Sequence, residues 1–220
     1  MLVGMGGASD TRRIHLQGRM GGMDAQDNVY AAPRAPLVAA PTERPRLPPF
    51  YVVSVTKLAL LSFATMGLYT LYWFWRHWKL HAIDSQRDIM PVPRAIFSIF
   101  FAHGLNREID QRLRRCGSHH AWSPGGWATL YVFSAISGRL LGSAPDSVLA
   151  PAPGFGLIML TVAGCTLAMT HAQRAANLAS DDPGGAANAR LTAANWFWLV
   201  LGGLFWLASL AGMALLLGDA

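Results

Sequence analysis

The fold is decided by one stretch of the chain, VVSVTKLALLSFATMGLYTLYWFWRHWK, which occupies residues 52–79. From Leu58 to Trp75 it contains no charged residue, and a helix of that length can cross the hydrocarbon core of a bilayer. The stretch ends in Trp and Tyr side chains followed by basic residues, which is the order typical of a membrane–water interface. It therefore predicts a membrane protein whose first spanning helix covers residues 52–75.

The composition of the whole chain agrees with a membrane location. Of its 220 residues, 52% are hydrophobic and 14% are charged, whereas soluble proteins contain about 25% charged residues. The net charge is +6, and the basic residues concentrate before Phe50 and between Arg76 and Arg115, next to apolar runs. Charge in such positions favours anionic lipid headgroups as the partner and sets membrane topology, so nucleic-acid binding is not expected.

Three further apolar segments have about the 20 residues that a helix needs to cross a bilayer. They cover about 122–142, 154–170 and 195–218. Helices are the expected conformation, because backbone groups in hydrocarbon must pair internally and these segments lack the polar–apolar alternation of barrel strands. The predicted fold is an all-α, polytopic helical bundle with about four transmembrane helices in a membrane domain of residues 51–220.

A shorter apolar stretch, Ala95–Leu105, allows two interpretations. As a helix it would be about 16 Å long, which is half a bilayer. Continued to Cys116, its apolar residues recur at helical spacing, and this predicts an amphipathic interfacial helix over about 94–116. The alternative is a short fifth span. The interfacial helix places the N-terminus outside and the fifth span places it inside, while the C-terminus is expected outside in both.

Residues 1–50 have the composition of a disordered tail, since they are rich in Gly, Pro, Ala and Arg and poor in large apolar residues. No apolar segment follows Arg12 and Arg13, which argues against a secretory signal peptide. Met20 and Met23 are internal methionines, and we hypothesise that translation starts at one of them. Residues 1–22 would then not be part of the natural protein.

One group of residues has metal-ligand spacing: His77, His81 and Asp84. Histidines four residues apart lie on one helix face, the carboxylate follows one turn further, and this set would suit a transition metal. The competing interpretation is a basic helix beside the membrane whose imidazoles lie at the headgroups. Because membrane di-iron enzymes use several such histidine boxes and this chain has one, the second interpretation is favoured and no cofactor is expected.

Aromatic and basic residues at the ends of the predicted spans are expected to anchor the protein at the bilayer interface. These interface residues are Trp73, Trp75, Trp78, Arg76, Lys79, Trp122, Trp196 and Trp198. A second basic group, in the later turns of the 94–116 helix, is expected to bind anionic lipid or a partner protein. Its members are Arg107, Arg112, Arg114 and Arg115.

Small residues recur every four positions in three of the predicted spans, which allows helices to approach closely. They are Ser134, Gly138, Gly142, Gly164, Ala168, Ala208 and Gly212. The facing helix belongs either to the same chain or to another membrane protein, including a second copy, and the sequence leaves this open. Cys116 and Cys165 are too few for a disulfide framework and are expected to be unpaired.

Several strings of the chain resemble a family of uncharacterised bacterial integral membrane proteins. The strings are Asn28–Pro33, Phe50–Ser54, Gly67–Phe74, Pro93–Phe97, Gln173–Asn177, Asn195–Trp196 and Leu201–Trp206. The resemblance implies a multi-pass location in the bacterial inner membrane and a start near Met23. It implies no activity, so it assigns no catalytic residue.

Together these observations favour a non-enzymatic membrane component that acts through helix packing and a basic face. No phosphate-binding loop or nucleophile motif points to an enzyme. Two other classes stay open: a metal-dependent membrane enzyme that uses the single histidine box, and a small-solute transporter. A transporter would show polar residues along a shared helix face, and the sequence contains no convincing set and no acidic residue within a predicted span.

Overall fold

The computed structural model describes residues 47–118, 120–145 and 147–218, and within these ranges it is all-α. The helices are α1 Val55–Ala64, α2 Leu68–Ser85, α3 Pro91–Ile96, α4 Ser98–Arg115, α5 Pro124–Gly142, α6 Pro151–Leu178 and α7 Ala193–Gly218, with a 3-10 turn at Ala186–Asn188. Most of the expected tail, including the hypothetical start sites, lies outside the described residues. Phe50 is 1% exposed, so it belongs to the packed core of the described residues.

Two of these helices are long and apolar enough to cross a membrane, by length and composition. They are α6 and α7, with candidate spans Pro151–Leu178 and Ala193–Leu215. The other two predicted spans are shorter or more polar: α5 has 19 residues that include several Gly and Ser, and α1 has only 10 residues. The structure therefore shows the all-helical class and two helices of spanning length, but not the four predicted.

The predicted first span, residues 52–75, is not a single helix. Between α1 and α2 the chain adopts a left-handed backbone, with φ of 49° at Met66 and 89° at Gly67. Glycine has no Cβ and enters this conformation without steric cost, which makes it the usual residue just beyond a helix end. The Gly67 N–H closes α1 by donating to the Ser62 carbonyl at 3.0 Å. The predicted span 52–75 is therefore corrected to two helices, and the break between them lies at a glycine within an apolar run.

Thr65 stabilises both sides of this break. Its hydroxyl donates to the Leu61 carbonyl at 2.7 Å, which satisfies a carbonyl in the last turn of α1. The same oxygen accepts the Tyr69 N–H at 3.0 Å and so caps the first turn of α2. One side chain therefore ends one helix and starts the next.

The direction of α1 and α2 is given by their contacts with α6. Val53, just before α1, is hydrogen-bonded to Asn177 near the end of α6, whereas Phe63 in the last turn of α1 shares a groove with Ala163. Residue numbers therefore rise along α1 as they fall along α6. The two helices are antiparallel.

In contrast, α2 runs in the same direction as α6. The Thr70 hydroxyl contacts Met169 Sδ at 3.4 Å, and Trp73 is hydrogen-bonded to Gln173, one turn further along both helices. Because α1 and α2 run in opposite directions, they form a helical hairpin. The start of α1 and the end of α2 both lie beside the C-terminal end of α6. We call this side of the helical bundle the basal end and the opposite side the distal end.

The amphipathic helix predicted over 94–116 is interrupted at Phe97, so that α3 and α4 are separate helices. α4 is antiparallel to α5, with Ser98 Oγ 2.7 Å from the Tyr131 hydroxyl and the Asn106 amide donating to the Pro124 carbonyl. Since α4 begins opposite Tyr131, before the midpoint of α5, the apolar stretch Ala95–Leu105 reaches only the basal half of the bundle.

The stripe of small residues packs α5 against α6 over part of its predicted length. A Cβ on Gly138 would lie 2.7 Å from Thr161 Oγ1, and one on Gly164 would overlap the Ser134 hydroxyl. Ala168 is buried as well. Gly142, Ala208 and Gly212 do not pack in this way: a Cβ on either glycine would meet nothing within 4 Å, and Ala208 is exposed.

A different glycine sets the contact between α1 and α7. A Cβ on Gly202 would lie 2.7 Å from the carbonyl carbon of Ala64 and nearer still to its oxygen, so only glycine allows this approach. One turn later the Trp206 indole donates to the Phe63 carbonyl at 3.3 Å. Trp206 also contacts Phe155 near the start of α6, so α7 runs from the basal towards the distal end.

Candidate functional site

A buried segment without helical structure, Phe50–Ser54, enters the bundle at the basal end. Phe50 and Val53 are 1% and 0% exposed. Backbone N–H and C=O groups in such a position need partners, because an unpaired buried polar group is costly. Side chains of α6 provide these partners. The Asn177 amide donates to the Val53 carbonyl at 2.9 Å, and its oxygen faces the Val53 N–H at 3.4 Å.

The amide of Gln173 is the centre of this arrangement. Its nitrogen donates to the Tyr51 carbonyl at 2.8 Å and to the Asn177 side-chain oxygen at 2.7 Å. Its oxygen accepts the Trp73 indole N–H at 2.6 Å and lies 3.2 Å from His77 Nε2. We call Tyr51, Val53, Trp73, His77, Gln173 and Asn177 the Gln173 network.

The donors and acceptors of this network follow from Trp73. An indole N–H can only donate, so the Gln173 group beside it must be the carbonyl oxygen. That oxygen can only accept, so His77 must carry its proton on Nε2. His77 Nδ1 is then an acceptor, and it is buried without a hydrogen-bond partner within the described part of the chain. The side chains thus have one consistent pattern of proton positions.

His77 is neutral in this environment. Its side chain is fully buried, and loss of hydration lowers its pKa to about 3, although the hydrogen bond to Gln173 acts in the opposite direction. The interpretation of His77 as a headgroup-facing residue is therefore corrected: it lies in the protein core.

The loop before α7 closes over the same segment. The Asn188 amide donates to the Tyr51 hydroxyl at 2.8 Å, and its oxygen accepts from Lys57 Nζ at 2.7 Å. Lys57 also donates to the Arg190 carbonyl at 2.8 Å. Gly185, with φ of 64°, lies so close that a Cβ would be 2.6 Å from the Ser54 nitrogen. The loop and the segment are thus packed backbone to backbone.

A small cleft of about 220 Å³ lies beside the Gln173 network at the basal end. Its ionisable lining residues come from α2, the loop after it and α4, and we call it the charged cleft. They are His81, Asp84, Arg87, Glu108, Arg112 and Arg115. Phe50 connects the two regions, because its ring stacks flat on the His81 imidazole with centroids 5.4 Å apart.

The charges of the cleft are only partly paired. Glu108 lies 3.3 Å from Arg87 Nη1 and 3.6 Å from His81 Nε2, and Asp84 lies 3.6 Å from Arg112 Nη1. Within the described ranges, both His81 ring nitrogens and Arg112 Nε are buried without a hydrogen-bond partner. Burial lowers the pKa of His81, which Glu108 partly offsets. The cleft therefore has spare donors that could hold oxygen atoms of a ligand.

The candidate metal ligands His77, His81 and Asp84 do not converge in the described structure. His77 faces Gln173, His81 lies against Phe50 and Glu108, and Asp84 pairs with Arg112. Nowhere in the described ranges are three His, Cys, Asp or Glu side chains grouped to hold a metal ion. The helical spacing was correct, but the two imidazoles bind different neighbours.

The predicted interface residues fall into two groups. Trp73 and Trp78 are 1% and 2% exposed, so their side chains contact protein and not the surroundings of the bundle. Trp78 lies beneath Arg94, whose guanidinium is 4.3 Å from the ring centroid. This corrects their expected role as anchors, which requires exposure.

The remaining interface residues stay at the surface, at least in part. Lys79 is exposed and lies 5.0 Å from the Trp75 ring, and Arg76 is half-buried. The Trp122 indole donates to Asp110 at 3.1 Å. At the start of α7, Trp196 and Trp198 are 57% and 45% exposed.

The basic group on α4 is at the basal surface. Arg107, Arg114 and Arg115 are exposed, and Arg112 is half-buried in the charged cleft. Arg114 is paired with Asp110 at 2.8 Å one turn earlier. Cys116, which follows α4, and Cys165 are both free thiols.

Sequence reasoning missed the Gln173 network. Its signal was present, since Gln173 and Asn177 are uncharged polar residues four positions apart at the end of an apolar helix and so share one face. Their partners, however, are more than 90 residues away along the chain. The polar pair alone does not reveal them.

Comparison with protein-family models, with curated proteins and with solved structures finds no match for this chain. Three of the sequence strings quoted above contribute residues to one cluster in the structure. Phe50–Ser54, Gly67–Phe74 and Gln173–Asn177 all contribute residues to the Gln173 network.

Replacing Gln173 should destabilise the protein strongly. Gln173→Met keeps the approximate shape but leaves the Trp73 indole, the His77 imidazole and the Tyr51 carbonyl unpaired, and each such group costs about 1–3 kcal/mol. We expect the free energy of unfolding in detergent micelles to fall by at least about 2 kcal/mol. Gln111→Met, on α4, is the matched control and should change it little. Equal stability of the two variants would contradict the central role of Gln173.

The buried His77 should make the protein less stable in acid. The unfolded chain takes up a proton near pH 6.5, whereas the folded protein does so only near pH 3, so stability falls as pH falls through this window. Between pH 7.5 and 5 the His77 contribution is about 2 kcal/mol. In His77→Gln, which can still donate to Gln173, the loss of unfolding free energy over this range should be smaller by that amount. An unchanged pH dependence in the variant would contradict the assignment.

Proposed function

We propose that this chain is a multi-pass integral membrane protein of the bacterial inner membrane, in the family that it resembles. The support is the outer surface of α5, α6 and α7, which is covered by exposed large apolar side chains. Examples are Phe133, Leu140, Leu160, Leu167, Phe197, Leu204 and Leu207, each between 48% and 68% exposed. An apolar surface that extends over three helices is unusual in a protein surrounded by water.

The distribution of positive charge supports an orientation in the proposed bilayer. Arg139, in the last turn of α5, is the one Lys or Arg of the described residues that lies towards the distal end. The others lie on the basal half, from Lys57 at the start of α1 to Arg190 in the loop before α7. Because loops rich in Lys and Arg remain in the cytoplasm, the basal end is the cytoplasmic one.

In this orientation α5, α6 and α7 cross the membrane, and the α1–α2 hairpin enters and leaves on the cytoplasmic side. The break at Met66 and Gly67 is compatible with that depth, because irregular backbone is tolerated within a membrane where it is buried in protein or lines a cavity. In the proposed orientation Phe50 lies on the cytoplasmic side and the end of α7 lies outside, which agrees with the charge rule.

Cysteine labelling tests this topology. In a Cys116→Ser, Cys165→Ser background, Leu47→Cys and Asp88→Cys mark the two ends of the hairpin, and Val148→Cys marks the loop between α5 and α6. With a membrane-impermeant maleimide on intact cells, we expect labelling of Val148→Cys alone, and labelling of the other two only after permeabilisation. Labelling of Leu47→Cys and Asp88→Cys from opposite sides would show that residues 52–75 cross the membrane.

We further propose a non-enzymatic role in which the charged cleft holds the phosphate of an anionic lipid headgroup. The observation that carries this is a pair of buried groups in the cleft, the His81 imidazole and Arg112 Nε, which have no hydrogen-bond partner among the described residues and lie beside Arg87 and Arg115. Arginine fits phosphate oxygens well, since its planar guanidinium can donate two parallel hydrogen bonds. Arg107 and Arg114, exposed on the same helix, add attraction towards an anionic surface.

The proposed binding of anionic lipid can be tested by measuring which lipids stay bound to the purified protein. Purified protein in a neutral detergent, mixed with equal amounts of phosphatidylglycerol and phosphatidylcholine, should retain phosphatidylglycerol preferentially in native mass spectrometry. Arg112→Gln and Arg115→Gln should each reduce the preference several-fold. Arg190→Gln makes the same change of charge at the basal end but outside the cleft, and it should leave the preference unchanged.

An equal loss in Arg190→Gln would mean that only overall charge matters and not the cleft. Absence of any preference in the unmodified protein, together with a co-purifying protein that Arg115→Gln releases, would favour the other partner class, a protein bound at the basic face.

A further inference from the structure

A second cavity, of about 350 Å³, lies between the helices, open on one side, and is separate from the charged cleft. It is lined by the tip of the α1–α2 hairpin, the start of α4, and parts of α5 and α6. The short α1 is the reason for the space. Its 10 residues extend only about 15 Å, so the hairpin ends partway along α5 and α6.

Hydroxyl groups from five helices line this cavity. Ser62 comes from α1, Ser98 from α4, Tyr131 and Ser134 from α5, and Thr161 and Thr166 from α6; a fifth helix, α2, adds Thr70. Ser98 and Tyr131 pair with each other at 2.7 Å, and Thr161 donates to the Ile158 carbonyl in its own helix. Each paired hydroxyl keeps acceptor capacity, because a hydroxyl has one donor and two lone pairs.

Ser62 is the most informative of these residues. It is one of the lining residues, it is 2% exposed, and its buried hydroxyl has no hydrogen-bond partner within the described residues. A buried polar group without a partner is rare and costs free energy, so such a position usually has a water or ligand beside it. The hairpin break at Met66 and Gly67 also lines the cavity. Broken helices at membrane depth occur where they line such a space.

The charge of the lining selects the class of ligand. Among the described lining residues Arg139 is the one charged side chain, and it is exposed on the last turn of α5. The lining contains no carboxylate to balance a cation. Apart from Arg139, the described lining consists of neutral hydroxyls and apolar side chains, which suit an uncharged molecule that carries hydroxyl groups on a carbon skeleton.

We infer that this hydroxyl-lined cavity is a binding site for a small uncharged polyol. The hydroxyls of the polyol would exchange hydrogen bonds with Ser62, Ser134 and Thr166. The polyol would enter from the distal end, where Arg139 lies. This site is independent of the proposed lipid role, because it shares no residue with the charged cleft.

The two native cysteines make a direct test with the full-length protein. Cys165 lines the cavity, whereas Cys116 is exposed after α4. In detergent micelles, the neutral reagent 2-hydroxyethyl methanethiosulfonate should modify both, and mass spectrometry of peptides gives the two rates. With glycerol as the probe, the rate at Cys165 should fall several-fold and saturate, while the rate at Cys116 follows only the change in viscosity.

Variants distinguish hydrogen bonding from simple crowding. Ser62→Ala and Thr166→Val remove a hydroxyl with little change of volume, so Cys165 should still react but lose its protection by glycerol. Thr170→Val is the matched control on α6, because its hydroxyl donates to the Leu167 carbonyl and does not line the cavity. It should keep full protection.

Three outcomes would overturn the inference: no reaction at Cys165, slowing by glycerol that does not saturate or equals the slowing at Cys116, and unchanged protection in both Ser62→Ala and Thr166→Val. The second of these outcomes would indicate a cavity filled by water alone. None of them bears on the lipid preference of the charged cleft.

Discussion

The rest of the structure depends on the need to satisfy the backbone of Phe50–Ser54 inside the bundle. This segment has no helix of its own and no neighbouring strand, so Gln173 and Asn177 supply the partners that its carbonyls require. The same Gln173 oxygen accepts from Trp73 on α2. One amide therefore fixes the start of α1, the middle of α2 and the end of α6 at a single point, and the chain must turn back between Ser54 and Trp73.

That turn determines what lies at either end of the hairpin. At the basal end, the Phe50 ring stacks on the His81 imidazole, and charged side chains at the ends of α2 and α4 line one cleft. Towards the distal end, the tip at Gly67 stops partway along α5 and α6 and leaves a space lined by hydroxyls. The two proposed binding sites thus share one structural cause, although their chemistry differs: charged side chains line the cleft, and mainly neutral hydroxyls and apolar groups line the cavity.

The helical class and the two longest helices could be predicted from hydrophobic run length, because a long apolar run leaves few alternatives to a helix. The α1–α2 hairpin could not be predicted from the sequence. Its break lies at Gly67 within an otherwise uninterrupted apolar run, and it depends on hydrogen bonds to Gln173 and Asn177, which are distant in sequence. Trp73 and Trp78 show the same limit: their position beside basic residues is typical of interface anchors, but Gln173 and Arg94 hold them in the core. The helical spacing of His77 and His81 was correct, yet spacing alone does not show which neighbours approach each ring.

The bond between Val53 and Asn177 also constrains the order in which the protein can assemble. These residues are 124 positions apart. At a synthesis rate of about 5–20 residues per second, roughly 6–25 s pass between their emergence. During that interval the α6 side chains that pair with the segment before α1 have not been made, so the hairpin cannot reach its final packing. The segment before α1 is therefore synthesised first among the described residues, but it reaches its final packing only after α6 has been made.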